Sequence, residues 1–307
     1  MYEKHFNLTA SPFNLNPDPR FLYVTDPVRE ALATLAYGVT YRKGFVVLTG
    51  DVGTGKTTLL NVFMQWLAKQ AAVTAFIFNP RMGSDEFLDF MMADFGIDCD
   101  SATKSRRLLA LNNWLLKRHE IGQPVVLIVD EAQQMSADTL EELRLLTNLE
   151  TPTQKLLQIV LSGQTELDTI LNRPSLRQLK QRITLRCRTL PLSCLQTAEY
   201  IARRIRVAGG QDSSPIFHPD SILSIHRYSG GIVRVINLLC DQALINAFCD
   251  GEKKVTTRHI EYAAHELELR TDRHANLGKP DNGTSQSSAI PSLQPHDYES
   301  TEKGTTK

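Results

Sequence analysis

The fold of this 307-residue chain is decided by the stretch Gly50-Asp51-Val52-Gly53-Thr54-Gly55-Lys56-Thr57. The stretch matches the pattern G-x-x-x-x-G-K-[ST], follows the apolar run Phe45–Thr49 and opens a helical pattern at Thr57-Thr58-Leu59-Leu60. Its glycines allow the backbone to curl so that consecutive N–H groups point at phosphate oxygens, and the helix adds its positive end there. A strand, a loop and a helix in this order predict a phosphate-binding loop rather than a glycine-rich turn with a chance lysine.

The side chains of this loop have predicted roles. Lys56 is expected to reach the β- and γ-phosphates of a nucleotide, and the Thr57 hydroxyl is expected to ligate Mg²⁺. ATP and Mg²⁺ are therefore the predicted ligands. The residues predicted to bind the nucleotide share this loop and the first turn of the helix, and they are Gly50, Asp51, Val52, Gly53, Thr54, Gly55, Lys56, Thr57 and Thr58.

Acidic side chains follow another apolar run. Val125–Val129 has the fully apolar pattern of a central parallel strand, and Asp130 and Glu131 come directly after it. Ligands of open α/β sheets bind at the carboxyl ends of strands, where the phosphate loop also lies. Asp130 is predicted to hold Mg²⁺ through water, and Glu131 to orient and deprotonate the attacking water. The alternative, a surface acidic pair that caps a helix, is disfavoured by the phosphate loop.

Polar residues at two other strand ends are candidates to sense the nucleotide. Gln164 is the first choice and Ser162 the second to contact the γ-phosphate, because both end a predicted strand. Asn79 ends another predicted strand. Its amide either holds Glu131 inactive until a partner engages or belongs to a turn with Pro80.

Basic residues in the second half of the chain are further candidates. No acid lies between Asp168 and Glu199, and the basic residues predicted to form a patch in that interval are Arg173, Arg177, Lys180, Arg182, Arg186 and Arg188. Their counter-charge is solvent, nucleic acid or the nucleotide of a neighbouring subunit. Arg182 or Arg177 is predicted to act as an arginine finger in trans. Arg234, which opens a predicted helix, is expected to fold back onto the phosphates.

Alternating strand and helix patterns predict an α/β fold with a parallel five-stranded sheet flanked by helices. The strands are predicted at residues 45–49, 73–78, 125–129, 157–162 and 183–187. Strand patterns stop after Pro191, and amphipathic helices are predicted at residues 195–208, 219–228, 233–247 and 257–269. The predicted domains are an ATPase core at residues 1–190, a small helical lid at 191–270 and a disordered polar tail at 271–307.

The composition bears on partners and location. Lys and Arg together number 34, as do Asp and Glu, so the net charge gives no reason to expect general binding to nucleic acid or to an acidic membrane. The five cysteines form no C-x-x-C pair, which favours reduced thiols and the cytoplasm. No secretory signal and no membrane-spanning apolar run is found. A cytoplasmic protein without membrane insertion is predicted, peripheral to the inner membrane only through a partner.

Together these residues resemble the AAA+ ATPases, and more narrowly the ExeA-like group, the general secretion pathway protein A type, to which TniB-type ATPases are similar. The resemblance covers about residues 1 to 270. The N-terminal Pro-Phe and Pro-Asp-Pro-Arg-Phe motifs are more particular than the phosphate loop, which many families share. The motifs that carry the resemblance are the phosphate loop, Phe6-Asn7-Leu8, Pro12-Phe13, Pro17-Asp18-Pro19-Arg20-Phe21-Leu22-Tyr23, Asp130-Glu131-Ala132-Gln133, Gly163-Gln164 and Leu176-Arg177-Gln178-Leu179-Lys180-Gln181-Arg182-Ile183.

The resemblance implies an ATPase core with a helical lid, a homo-oligomer, and a nucleotide bound between subunits. It implies that an N-terminal segment of the core, including Phe21 and Tyr23, lies near the adenine, although aromatic residues there would equally suit core packing. Proteins of the secretion type continue with a transmembrane segment and a peptidoglycan-binding domain, whereas a short polar tail follows here. A direct envelope-anchored role is therefore not expected.

Three functions remain open at this point. The leading prediction is an oligomeric ATPase that remodels or regulates a macromolecular assembly, with a protein partner in secretion, pilus or exopolysaccharide export. The second is a DNA-associated transposition ATPase of the TniB type, which the basic stretch permits, although no DNA-reading module is appended. The third is a nucleotide switch that hydrolyses slowly. A DEAD-box-like helicase is disfavoured because the chain has no room for a second motor domain.

Overall fold

The computed structural model describes residues 1–99, 103–211 and 215–269 of the chain. Its strands are β1 (Phe45–Thr49), β2 (Val73–Ile77), β3 (Val125–Val129), β4 (Leu157–Gly163) and β5 (Ile183–Arg188). All five strands pair in parallel in the order β2-β3-β4-β1-β5. The predicted α/β fold with five parallel strands is confirmed, and three predicted strand ends shift by one residue.

Helices cover both faces of the sheet. Alternate residues of a strand point to opposite faces, so Val46 and Leu48 pack in one core and Val47 packs in another. The helices of this part of the chain are α1 (Asp26–Thr40), α2 (Lys56–Lys69), α3 (Ser84–Asp94), α4 (Lys104–Glu120), α5 (Ala137–Leu146), α6 (Glu166–Leu171) and α7 (Arg177–Arg182). The first two helices cover one face, and α3, α4 and α5 cover the other.

The strand order brings the candidate site together. Strand β4 lies between β1 and β3, and Thr49 at the end of β1 pairs with Gly163 at the end of β4. Val129 at the end of β3 pairs with Leu161. Because all three strands run in the same direction, the phosphate loop, the end of β4 and Asp130 lie side by side at one edge of the sheet.

Four helices form a separate layer after the sheet: α8 (Cys194–Val207), α9 (Pro219–Ser229), α10 (Val233–Cys249) and α11 (Thr257–Glu266). Helix α8 starts at a capping box of Ser193 and Gln196, and α9 ends at Gly230 in the left-handed conformation. Their apolar faces share a third core, which includes Ile201, Ile236 and Ile260. We call these four helices the helical lid.

The N-terminal residues pack with the helical lid rather than with the sheet. Tyr2, Phe6, Leu8 and Phe13 belong to the same core as α8 to α11. The predicted domain boundary at residue 190 therefore does not separate the hydrophobic cores. The first residues of the chain share a core with the helical lid, which lies beyond that boundary. The predicted disordered tail at 271–307 lies outside the described residues. Within residues 1–99, 103–211 and 215–269, no helix has the length and apolarity needed to cross a bilayer.

Candidate nucleotide-binding site

The phosphate loop, residues 50–57, connects β1 to α2. Gly53 and Gly55 have φ values of 78° and 95°, in the left-handed region that costs other L-residues about 1–2 kcal/mol. A Cβ on Gly50 would lie 2.0 Å from Thr189 Oγ1, so a larger residue does not fit at the first position of the loop. The glycines are thus required by backbone conformation and by packing against the end of β5.

Hydrogen bonds within the loop hold it in shape. The Thr54 hydroxyl contacts the Thr189 hydroxyl at 2.7 Å and donates to the Asp51 carbonyl at 2.8 Å. Lys56 Nζ donates to the carbonyls of Gly50 and Asp51 at 2.7 and 2.9 Å. Burial lowers the pKa of Lys56, and nearby carboxylates oppose that effect. A buried ammonium beside a glycine-rich loop at the N-terminus of a helix is a site for an anion such as phosphate.

Oxygen ligands suited to Mg²⁺ lie beside this loop. Thr57 Oγ1 donates to Asp130 Oδ2 at 3.2 Å. The other oxygen of Asp130, Oδ1, accepts from Ser162 Oγ at 2.8 Å and from the Glu131 backbone N–H at 3.0 Å. Mg²⁺ prefers one or two protein oxygens and completes its shell with water and phosphate oxygens, which fits this hydroxyl and carboxylate pair.

Glu131 is held in a strained and well-defined position. Its backbone is left-handed, with φ 55° and ψ 34°, a conformation that costs a residue other than glycine about 1 kcal/mol or more. Its carboxylate Oε2 accepts from Gln133 Nε2 at 2.6 Å and from Gln164 Nε2 at 3.2 Å. Glu131 also lines the same cavity as Lys56 and Thr57. The carboxylate is therefore held at the cavity that the phosphate loop also lines.

One of the two predictions for Asn79 is that its amide holds the Glu131 carboxylate, but Gln133 and Gln164 hold it instead. Asn79 is exposed, and its side chain makes no hydrogen bond within the described part of the chain. Strand β3 lies between β2 and β4, and Glu131 turns toward Gln164 at the end of β4 instead of toward Asn79 after β2. The idea that Asn79 holds Glu131 is wrong for this conformation.

The two sensor candidates have different positions. Ser162 is fully buried and donates to Asp130, so it fixes the carboxylate that is predicted to hold Mg²⁺. Gln164 lines the cavity and contacts Glu131. The geometry favours Gln164 over Ser162 as the group that meets a terminal phosphate, and that role stays a prediction.

Arg234 brings the helical lid to the phosphate loop. Its backbone N–H, one of the unpaired donors in the first turn of α10, donates to the Gly53 carbonyl at 3.0 Å. Its exposed side chain lines the cavity and makes no hydrogen bond within the described residues. The guanidinium is therefore available to a phosphate, and its predicted contact with the phosphates stays a prediction.

The basic stretch carries less free charge than the sequence suggests. Arg186 and Arg188 both bind Asp168, at 2.8 and 3.0 Å, so the acid at the border of the stretch neutralises its end. Arg182 donates to the Asn148 side-chain oxygen at 3.2 Å. Arg177 is exposed at the start of α7. The prediction of a trans finger at Arg182 or Arg177 remains a prediction.

The cavity continues from the phosphate loop to the N-terminal segment and the lid. Its volume of about 340 Å³ is that of a small-molecule site. Phe21 and Tyr23 line it, so both predicted aromatic residues lie in the cavity that the phosphate loop also lines. Sequence reasoning missed three lid residues that also line this cavity, and they are Tyr200, Arg204 and Asn237. The signal for Asn237 was its place one helical turn after Arg234; Tyr200 and Arg204 had none.

Comparison with known proteins agrees with this geometry. The family model for an AAA domain matches residues 39–171. General secretion pathway protein A from Aeromonas hydrophila is 42% identical over 294 residues, which are 95% of this chain and 52% of that protein. The chain thus spans about half the length of this curated relative.

Solved structures share the fold at low sequence identity. The ORC2 protein of Aeropyrum pernix in ADPNP-ADP complexes has a TM-score of 0.64 at 16% identity, covering 84% of this chain and 71% of that one. Cdc6p from Pyrobaculum aerophilum has a TM-score of 0.63 at 18% identity, with 84% and 70% covered. The RuvB Holliday junction branch migration motor of Thermotoga maritima has a TM-score of 0.53 at 15% identity, with 80% and 70% covered. The chain therefore has the parallel-sheet fold of P-loop AAA+ proteins, contains an AAA domain at residues 39–171, and is similar over 95% of its length to general secretion pathway protein A, in agreement with the ExeA-like resemblance of its motifs.

Proposed function

We propose that this protein binds and hydrolyses ATP in the crevice between the phosphate loop, Asp130 and Glu131. The observation that carries the proposal is the Glu131 carboxylate, which lines the cavity of Lys56 and Thr57 and is held through one oxygen by two glutamine amides. Its other oxygen, Oε1, accepts no hydrogen bond from any described residue. A fixed carboxylate with one free oxygen suits the activation of water, which nucleotide binding alone does not require.

Each group in the crevice has a distinct task in this proposal. Backbone N–H groups of residues 50–57 and the start of α2 bind phosphate oxygens, and Lys56 neutralises their charge. Thr57 and Asp130 would hold Mg²⁺, which supplies positive charge at the phosphates when bound. Glu131 orients the attacking water and takes its proton at Oε1. Gln164, which contacts that carboxylate at 3.2 Å, links its position to the terminal phosphate.

We infer that the active form is a homo-oligomer in which an arginine of one subunit completes the site of the next. Arg177 and Arg182 are the candidates, because neither forms a salt bridge within the described residues. A guanidinium without a carboxylate partner is free to meet the phosphates of a neighbouring nucleotide, as arginine fingers do. Hydrolysis by an isolated subunit would then be slow.

We place this activity in the remodelling or regulation of a protein assembly in secretion, pilus or exopolysaccharide export. The name of the Aeromonas relative and its identity over 95% of this chain support secretion as the setting. The five cysteines are all unpaired, which fits the reducing cytoplasm. Contact with the inner membrane through a partner is part of the same proposal.

The substitution Glu131→Gln tests hydrolysis. The amide retains the shape of the side chain but takes up no proton, so phosphate release should fall about 100-fold or more while ATP stays bound. Phosphate release and equilibrium ATP binding are measured on the same protein over a range of concentrations. Glu261→Gln, the same change at an exposed position of α11, is the matched control and should behave as the wild type.

Two outcomes would contradict the proposal. A Glu131→Gln protein that releases phosphate at the wild-type rate would remove Glu131 from the reaction. A wild-type protein that binds ATP but releases no phosphate at any concentration would be a nucleotide switch. The same assay with DNA present examines the transposition-type alternative, for which ATP-dependent and salt-sensitive DNA retention is expected.

A further inference from the structure

The cavity that the phosphate loop lines is also lined by polar side chains that the hydrolysis step does not use. Tyr200 and Arg204 lie on α8 and Asn237 lies on α10, and all three line the cavity. Tyr200 is 2% exposed, and Arg204 and Asn237 are 5% exposed. Polar groups buried to this degree are stable only when they are hydrogen-bonded. Their hydrogen bonds therefore determine which atoms remain for a ligand.

Arg204 begins a directed chain of hydrogen bonds. Its guanidinium can only donate, and Nη1 donates to the Tyr200 hydroxyl oxygen at 2.7 Å. Its other nitrogens donate to the carbonyls of Pro12 and Asn14 in the N-terminal segment. Because the Tyr200 oxygen accepts from Arg204, the Tyr200 proton is directed to Asn237 Oδ1, at 2.8 Å. The chain thus runs in one direction, from Arg204 through Tyr200 to Asn237.

This chain fixes which way the Asn237 amide points. Oδ1 accepts from Tyr200, and the flipped amide would leave the buried Tyr200 hydroxyl without an acceptor. Nδ2 makes no hydrogen bond with any residue that the structure describes, and it is not sealed away from the cavity that Asn237 lines. The lid therefore presents an oriented N–H donor to the cavity.

We propose that Asn237 reads the base of the bound nucleotide and that Tyr200 and Arg204 are positioning residues for its amide. The inference rests on the proposed nucleotide binding. An amide offers one donor beside one acceptor, and adenine presents the matching pair, a ring nitrogen beside its amino group. Guanine carries a hydrogen on that ring nitrogen, N1, and O6 in place of the amino group, which would set donor against donor at Nδ2 and acceptor against acceptor at Oδ1. The site is thus selective for adenine nucleotides over guanine nucleotides.

The apolar wall beside this donor suits a flat base. The Phe21 ring lies under the Arg204 guanidinium, with 4.3 Å from the Arg204 Cζ atom to the ring centroid. Phe21 is itself 7% exposed, so it is fixed in the wall rather than free in solvent. Residues from the N-terminal segment and from the lid therefore form together the part of the cavity wall that would contact the base.

The test is equilibrium binding of ATP and GTP that carry the same fluorophore, with the full-length protein. The wild type should bind the ATP probe about tenfold or more tightly than the GTP probe, the range of one base-reading contact. Asn237→Asp, which keeps the size of the side chain but cannot donate, should reduce this ratio to about threefold or less through weaker ATP binding. Tyr200→Phe, which releases the amide to turn, should reduce the ratio in the same way.

The matched control is a second tyrosine of the lid. Tyr228→Phe removes the same hydroxyl from a partly buried tyrosine of the lid core that does not line the cavity, and it should keep the wild-type ratio. If Asn237 only supports the lid, Asn237→Asp and Tyr200→Phe would weaken both probes by one factor and leave the ratio unchanged, which overturns the inference. A wild type without preference also overturns it, and leaves the hydrolysis proposal standing. A wild type that binds neither probe overturns both.

Discussion

The contact between Gly53 and the lid gives a prediction whose size follows from the structure. The Gly53 carbonyl accepts the backbone N–H of Arg234 at 3.0 Å. In the variant Gly53→Ala, the added Cβ would lie 2.8 Å from Arg234 Cβ and 3.0 Å from Ile232 Cγ2. These atoms are close to the backbone and cannot swing away, so the start of α10 must retreat from the phosphate loop.

Two contributions set the expected loss of ATP affinity. The φ of 78° at Gly53 costs alanine about 1–2 kcal/mol. The lost hydrogen bond between Gly53 and Arg234 adds about 1 kcal/mol. If nucleotide binding needs the present loop shape and the docked lid, the sum of about 2–3 kcal/mol corresponds to a Kd about 30- to 150-fold higher.

Titration with a fluorescent ATP analogue measures this Kd, and hydrogen exchange at the Arg234 amide reports whether the lid has left the loop. The control is Gly122→Ala, because Gly122 has a φ of 72° with no atom within 4 Å of an added Cβ. That variant should lose stability but bind ATP normally. A Gly53→Ala protein with an ATP Kd within about threefold of the wild type, and with the Arg234 amide still protected, would refute the reasoning.

Three further predictions concern single side chains. Ser162→Ala removes the 2.8 Å hydrogen bond to Asp130 Oδ1, so the Mg²⁺ concentration for half-maximal phosphate release should rise about tenfold. An unchanged Mg²⁺ requirement would contradict the supporting role. Burial lowers the pKa of Lys56 below 10.5. ATP affinity should therefore fall as pH rises through that lowered pKa, because the ammonium loses its proton. Proton uptake on ATP binding is measured as a buffer-dependent heat in calorimetry, and it should be lost in Lys56→Met. Burial raises the pKa of the Cys187 thiol to about 12, so mass spectrometry after alkylation at mildly alkaline pH should find exposed Cys249 modified and Cys187 intact until unfolding.

The phosphate loop and Asp130 were predictable from the sequence because their signals are local. A G-x-x-x-x-G-K-[ST] loop after a strand specifies its own backbone, and a fully apolar strand places the next residue at the edge of the sheet. The residues that hydrogen-bond to Glu131 could not be identified from a local sequence signal. It depends on the left-handed backbone at Glu131 and on the position of β4 beside β3, and neither is visible in a strand pattern. That is why Gln133 and Gln164 hold the carboxylate and Asn79 does not.

The pairing of Asp168 with two arginines of the basic stretch was also not predictable from the order of residues in the sequence. Asp168 stands at the border of the basic stretch, and its two arginine partners are 18 and 20 residues later on β5. The pairing exists because α6 follows β4 and β5 lies beside β1, which brings the carboxylate to the edge strand. Counting acids within an interval cannot find a contact of this kind.

The N-terminal segment links the helical lid to the core beside the cavity. Thr9 is bonded to the Ala208 carbonyl at the end of α8, whereas the Pro17 carbonyl accepts from Asn61 on α2 at 2.8 Å. The segment therefore crosses from the lid to the core along one wall of the cavity. A second crossing joins the lid to the phosphate loop, where the Arg234 backbone N–H donates to the Gly53 carbonyl. A nucleotide that fills this cavity touches both crossings, so the free energy of its binding depends on how the lid sits on the core, and by the same linkage nucleotide binding must bias the position of the lid.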